Sequence, residues 1–209
     1  LSRPILARLA DHPLSSIHRH IQLREKIMTL RDELLQHLLA HSFRTGEFTL
    51  ASGRKSNYYI NGKMTTLDAR GAYLVGRTFL AMIADDVPDA VGGLTLGADP
   101  IIGAMIALAG LEDMPLKGFI VRKEAKGHGT QSLVEGSLAA GERVVVVEDV
   151  VTTGGSSLQA IAAVKAMGCE VRKVLAVVDR EEGGREALKK EGYPLEAVFT
   201  ARELMAAVK

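Results

Sequence analysis

The stretch "VVVVEDVVTTGGSS", residues 144–157, decides the fold. Val144–Val147 is a continuous β-branched run after Gly141 and Arg143, the pattern of a strand buried on both faces of a parallel sheet. Beyond the loop, Leu158, Ile161, Val164 and Met167 recur every three residues with Ala162 and Ala166 beside them, and Gly168 follows. That is helical spacing with a stop signal. The stretch reads strand, loop, helix, with two adjacent acids where the strand ends. In open parallel sheets, ligands sit beyond the carboxyl ends of the strands, where this loop falls.

Thr152-Thr153-Gly154-Gly155-Ser156 opens the helix. The first backbone N–H groups of a helix lack intrahelical partners and carry the positive end of its dipole. Glycine admits close backbone approach, and hydroxyls add donors, which makes a monophosphate cradle. Glu148 and Asp149 repel phosphate, so they suit a neighbouring group with hydroxyls to donate, or a cation. A ribose 5-phosphate meets both needs. A Walker A loop is excluded, because no GxxxxGK[ST] is present.

Composition sets the limits. The chain has 209 residues, enough for one domain with a substantial core, and a net charge of +1. No global attraction to nucleic acid follows, and any basic site must be local. The single cysteine, Cys169, excludes an intramolecular disulfide and a multi-cysteine zinc site. Aromatic residues make up 4% of the chain and Trp is absent, which argues against a base-stacking platform. No apolar run has membrane length and no signal-peptide pattern is present, so a cytoplasmic location is expected. Residues 1–27 are broken by Pro4 and Pro13 and are read as an N-terminal extension without an assigned role, either natural or upstream of a start at Met28.

From Met28 onward, helix and strand patterns alternate. A helix runs to about Ala40, a strand pair lies in "FTLASGRKSNYYING" (48–62), and a helix covers about 68–84. Strands are expected at 90–94, 116–121, 143–148, 171–178 and 195–200, with helices from Ile101, Gly155 and Gly184 and a short helix at the end. This alternation predicts an α/β fold with a mostly parallel sheet flanked by helices. We divide residues 28–209 into a small N-terminal hood, about 28–65, and a core, about 66–209.

Three further motifs fall at strand ends. "TLGADPIIGAM" (95–105) is a second strand-to-helix turn whose free N–H groups suit a second anion; Asp99 there fits metal-bound water or backbone better than phosphate. "VRKEAKGHGTQSLVEG" (121–136) crowds Arg122, Lys123, Lys126 and His128 into one glycine-interrupted loop. Such a loop can neutralise an anionic leaving group and exclude water. "VVDREEGG" (177–184) ends a strand in Asp179-Arg180, and the planar fork of Arg180 suits a carboxylate or ring carbonyl; a surface ion pair with Glu181 or Glu182 is the competing reading.

Residues 144–157 resemble the phosphoribosyl pyrophosphate signature of the type I phosphoribosyltransferases, and Arg122–His128 resembles the catalytic loop of the orotate phosphoribosyltransferase family within them. Four motifs stand in that family's order from Met28 to the carboxyl terminus. The resemblance implies transfer of phosphoribose from 5-phosphoribosyl 1-diphosphate to orotate in pyrimidine synthesis. It implies that Arg122, Lys123, Lys126, His128, Glu148, Asp149, Val150, Val151, Thr152, Thr153, Gly154, Gly155 and Ser156 bind 5-phosphoribosyl 1-diphosphate. Of these, Lys126, His128 and Asp149 act in catalysis, and Thr152 and Arg180 contact orotate. Mg²⁺ is expected on the diphosphate and ribose hydroxyls, with no ligand assigned directly from the protein. A homodimer is implied, Lys126 reaching the neighbour's site. The family often has Lys where this chain has Ala51; Arg54, Lys55 and Lys63 are the candidate substitutes. Tyr58 and Tyr59 suit either the base or strand packing. A purine phosphoribosyltransferase and a non-catalytic sensor of 5-phosphoribosyl 1-diphosphate are the alternatives.

Overall fold

The computed structural model describes residues 28–49, 53, 55–124 and 133–208. Helix α1 covers residues 28–41 and turns Leu30, Leu34 and Leu38 into the core at helical spacing. The antiparallel pair β1 (Phe43–Thr49) and β2 (Lys55–Ile60) follows, then the single turn α2 (Lys63–Thr66). Asp68 accepts from the backbone N–H groups of Arg70 and Gly71 and so caps α3 (Ala69–Met82). The rest alternates as β3 (Ala90–Leu94), α4 (Asp99–Leu111), β4 (Lys117–Val121), β5 (Val134–Glu135), β6 (Arg143–Val151), α5 (Gly155–Ala166), β7 (Glu170–Asp179), α6 (Gly184–Lys190), β8 (Leu195–Thr200) and α7 (Ala201–Ala207).

Two boundaries differ from the expected ones. β1 begins at Phe43, because its first residues pair with β2 and Phe43 stacks on Tyr58 at 5.7 Å between ring centroids. β6 runs to Val151 rather than stopping at Glu148, since Glu148, Val150 and Val151 all pair with β7. The two acids therefore lie within the strand. The two-residue β5 and the turn α2 are additions that no periodicity announces, being too short to show one.

The main sheet has the order β5-β4-β3-β6-β7-β8, parallel except for β5 at one edge. The four valines of β6 alternate across it. Val145 and Val147 join the layer of α1, α3, α4 and α7, whereas Val144 and Val146 join that of α5 and α6. Both faces being covered explains the unbroken apolar run. The chain leaves β3 toward one edge through α4 and leaves β6 toward the other through α5. Right-handed crossovers running opposite ways must place their helices on opposite faces, as observed. Their starting loops diverge between β3 and β6, leaving a crevice at the switch point. Among the described residues, no helix is long and apolar enough to cross a membrane.

The centre of the sheet is closely packed around β3. A Cβ on Gly92 would lie 2.2 Å from the Phe119 carbonyl oxygen on β4, and one on Gly93 would lie 2.4 Å from the Val147 carbonyl oxygen on β6. Backbone cannot yield as a side-chain tip can. Gly92→Ala is expected to cost roughly 1–3 kcal/mol, seen as a lower urea midpoint at unchanged slope. An unchanged midpoint would show that β3 and β4 can separate without penalty.

Candidate active site

The crevice is a cleft of about 440 Å³ walled by the ends of β3, β6 and β7, the stem of the 122–133 segment and the hood. Glu148 and Asp149 form its floor, at 7% and 6% exposure. Continued alternation of β6 sends Glu148 toward Ser157 on α5 and Asp149 toward the hood. Two glycines press on them. A Cβ on Gly97 would fall 2.7 Å from Asp149 Oδ1 and 2.8 Å from Glu148 Oε1, and one on Gly62 would fall 2.8 Å from Asp149 Oδ2. Both backbones approach the carboxylates at distances that exclude any side chain.

The acids differ in their partners. Asp149 Oδ1 accepts from the Val150 N–H at 2.9 Å, and Oδ2 lies 3.4 Å from Lys63 Nζ. Glu148 Oε2 is buried without a hydrogen-bond partner, as is the Ser157 hydroxyl. Burial first, and the adjacent Asp149 charge second, push the Glu148 carboxyl up to about 8, against weaker opposing pulls from Lys63 and Ser157. Glu148 therefore holds a proton at neutral pH when the cleft is empty.

Beyond the acids, Gly154 takes the left-handed conformation at φ +81° and starts α5. A Cβ on Gly184 would sit 2.5 Å from Val151 Cγ1 and 2.8 Å from the Thr152 carbonyl oxygen, so the Gly183-Gly184 pair lets the 152–154 turn rest directly on α6. Val150, Thr152 and Ser156 line the cleft. Val151 is buried in the α5 layer beneath it, and Thr153, Gly154 and Gly155 shape the turn. At the other strand end, Thr95 Oγ1 donates to Asp99 Oδ2 at 2.6 Å, and Asp99 Oδ1 is buried without a partner.

Arg180 lies in the cleft wall with its guanidinium 5.1 Å over the Tyr58 ring. Nη2 is 2.8 Å from Glu182 Oε1, an ion pair not aligned as a hydrogen bond, and Nε has no partner. Both side chains are largely buried, so this is no solvent-facing bridge. Tyr58 packs against the core, whereas Tyr59 faces the cleft.

The basic segment divides. Lys123 lines the cleft, and its carbonyl accepts from Gln159 Nε2 of α5 at 3.2 Å. Arg122 stays at the stem, its N–H donating to the Leu133 carbonyl and its Nη1 lying 3.3 Å from Glu135 Oε1. Lys126 and His128 lie outside the described residues, as do Ala51 and Arg54. Of the candidate substitutes for the lysine absent at Ala51, Lys63 reaches the cleft and Lys55 does not line it. Thr95 and Gly97, from the turn read as a second anion site, line the cleft, and so do Asn61 and Gly62, which had not been singled out.

The empty cleft gives a stability prediction. The folded protein keeps the Glu148 proton up to about pH 8, whereas the unfolded chain releases it near the ordinary value of 4.5. Linkage then makes stability fall as pH rises from about 4.5 to 8 and level off above. Glu148→Gln removes this slope, so its stability relative to the parent is expected to grow from pH 5 to pH 8 in ligand-free thermal melts. A pH-independent difference would contradict the proton at Glu148.

Residues 67–197 match the phosphoribosyl transferase domain family. The chain is 50% identical over 183 residues to the orotate phosphoribosyltransferase of Thermosynechococcus vestitus, covering 87% of this chain and 96% of the relative. It is 47% identical to that of Aquifex aeolicus, covering 86% of this chain and 100% of the relative. A crystal structure of Mycobacterium tuberculosis orotate phosphoribosyltransferase in complex with 5-phospho-alpha-D-ribosyl 1-diphosphate superimposes with a TM-score of 0.71 at 39% identity, covering 84% of this chain and 99% of that one. With the two buried acids, the glycine turn and the switch-point cleft in place, the chain belongs to the phosphoribosyltransferases and, among them, to the orotate phosphoribosyltransferase family.

Proposed function

We propose that the chain is a cytoplasmic orotate phosphoribosyltransferase that converts orotate and 5-phosphoribosyl 1-diphosphate to orotidine 5′-monophosphate and diphosphate, in synthesis of UMP. One observation carries this reading: a helix N-terminal turn, two buried carboxylates and a buried arginine with an unpartnered Nε meet in a single cleft. We keep the division into a hood, about 28–65, and a core, about 66–209. Residues 1–27 lie outside the described residues.

The residues divide the substrate among them. The hydroxyls of Thr152 and Ser156 and the free N–H groups at the start of α5 hold the 5′-phosphate, the turn being shaped by Val151, Thr153, Gly154 and Gly155. Glu148 and Asp149 receive the ribose hydroxyls, which supply the donors that Glu148 Oε2 lacks. Arg180, held flat by Tyr58, meets the orotate carboxylate or carbonyl, with Thr152 beside it. The bond from ribose C1 to diphosphate breaks with its electron pair leaving on the diphosphate. A ring nitrogen of orotate forms the new bond to C1 and loses its proton. Positive charge on the sugar faces Asp149, while Lys123 and, by family resemblance, Arg122, Lys126 and His128 offset the departing negative charge. Positioning and electrostatics carry the rate without a protein nucleophile.

Mg²⁺ fits this donor set. Glu148 and Asp149 are hard oxygen donors beside the diphosphate position, and the described residues contain no cluster of three metal-binding side chains. An ion that keeps its waters and binds mainly through substrate oxygens suits such a site. When bound, it neutralises diphosphate charge.

The test is consumption of orotate by the purified protein with 5-phosphoribosyl 1-diphosphate and Mg²⁺. Turnover of adenine or hypoxanthine in place of orotate would overturn the reading. In the same assay Arg180→Ala is expected to raise the orotate KM by the equivalent of about 1.5–3 kcal/mol, with a smaller change for 5-phosphoribosyl 1-diphosphate. Equal changes in both would move Arg180 off the base.

A homodimer sharing the basic segment belongs to the same proposal. It is supported by apolar side chains left exposed, Leu96 at the cleft at 67% and Met64 on the hood at 53%. Lys126→Ala and Asp149→Asn dimers are each expected to be nearly inactive. After subunit exchange, about half the dimers are hybrids, and in each hybrid one site receives a sound segment and sound acids. Activity should return to about a quarter of sites. Hybrids confirmed by native mass spectrometry without recovered activity would show that the segment serves its own subunit.

A further inference from the structure

The 95–98 turn, which lines the cleft and whose free N–H groups suit a second anion, is the place for the diphosphate and has no cation of its own. Residues 95–105 read TLGADPIIGAM, in which Asp99 is the only charged residue. The Thr95 hydroxyl is engaged with Asp99. A diphosphate held there by backbone N–H groups alone would meet a carboxylate and no opposite charge as the bond to C1 loosens. A cation within reach of the developing charge would stabilise it.

Three described cations line the cleft: Lys63, Lys123 and Arg180. Arg180 is held on β7 by Tyr58 and Glu182. Lys123 belongs to the basic segment already assigned to the departing charge, and its carbonyl accepts from Gln159 Nε2 of α5. Lys63 alone shares a partner with the 95–98 turn. Its Nζ lies 3.4 Å from Asp149 Oδ2, while the Gly97 backbone closes on Oδ1 of the same carboxylate. The contact is long for a charge-assisted hydrogen bond, and the lysine side chain is 46% exposed although Asp149 is buried. The ammonium is thus attracted to Asp149 without being locked there, on a flexible four-carbon stem with three donors.

We propose that Lys63, supplied by the hood, binds the diphosphate: in the empty cleft it balances Asp149, and with substrate present it turns to the diphosphate and leaves Asp149 to the ribose. The exchange keeps every group partnered, because ribose hydroxyls replace the ammonium at Asp149 as phosphate oxygens replace Asp149 at the ammonium. The inference rests on the reaction proposed above and adds a binding residue to it.

Lys63→Met and Lys63→Arg test it by calorimetry with diphosphate and Mg²⁺, and by kinetics in the reverse direction from orotidine 5′-monophosphate and diphosphate. Lys63→Met is expected to weaken diphosphate about 10- to 100-fold, with the KM for orotidine 5′-monophosphate changed less than about threefold. Lys63→Arg, which keeps the charge, should stay within a few-fold of the parent. Unchanged diphosphate affinity in folded Lys63→Met overturns the inference. So does a raised KM for orotidine 5′-monophosphate with diphosphate unaffected, since Lys63 would then serve only Asp149. Lys63→Gln, polar and uncharged, replaces Lys63→Met if that variant fails to fold, with the same expected outcomes. A parent protein that binds diphosphate but does not turn over orotate defeats the proposed reaction and leaves the calorimetric comparison decisive for Lys63. A parent that binds no diphosphate defeats the inference itself.

Discussion

Two adjacent carboxylates held under cover at the switch point of the sheet are the constraint around which the rest of the structure is arranged. Burying one charge is costly, and burying two side by side raises the cost through their repulsion. Several features reduce it. Glu148 keeps a proton, Asp149 accepts the Val150 N–H, and Lys63 brings an opposite charge from outside the sheet. The remaining deficit, an unpartnered oxygen on Glu148, is the kind of unsatisfied group that a hydroxyl-rich ligand relieves.

Parallel strand geometry explains why one strand can present both acids and still anchor the sheet. Alternation starts Glu148 toward α5 and Asp149 toward the hood, yet both carboxylates converge on Gly97, so the acids share one wall of the cleft and differ in their other neighbours. Helix α5, with its glycine-rich start, packs beside Glu148, and the hood element that carries Lys63 packs beside Asp149. The start of α5, the two acids and the hood are therefore set relative to one another by β6 itself, which is paired on both sides.

Much of this was readable from residue order. Val144–Val147 could be a doubly buried strand and little else, and the spacing of Leu158, Ile161 and Val164 required a helix after it. The strand's end at Val151 was not readable, because Glu148 and Asp149 look like a boundary when their cost of burial is judged without their partners. Gly62 was likewise invisible as a site residue, and the closeness of Gly97 to both acids was not readable from its turn. A glycine after a strand marks a turn in any sequence, and only the opposing carboxylates show what its missing side chain makes room for.

Local pattern by itself determined most of the order of strands and helices, the place of the glycine turn that opens α5 and the acids that precede it, because periodicity, β-branching and glycine chemistry act within a few residues of chain. Tertiary structure alone decided which distant groups share the cleft. Lys63 stands 86 positions before Asp149, and Arg180 meets Tyr58 of the hood, contacts that no spacing encodes. It also decided which acid holds the proton, since burial and the nearness of a second charge are properties of the folded surroundings and not of the residue.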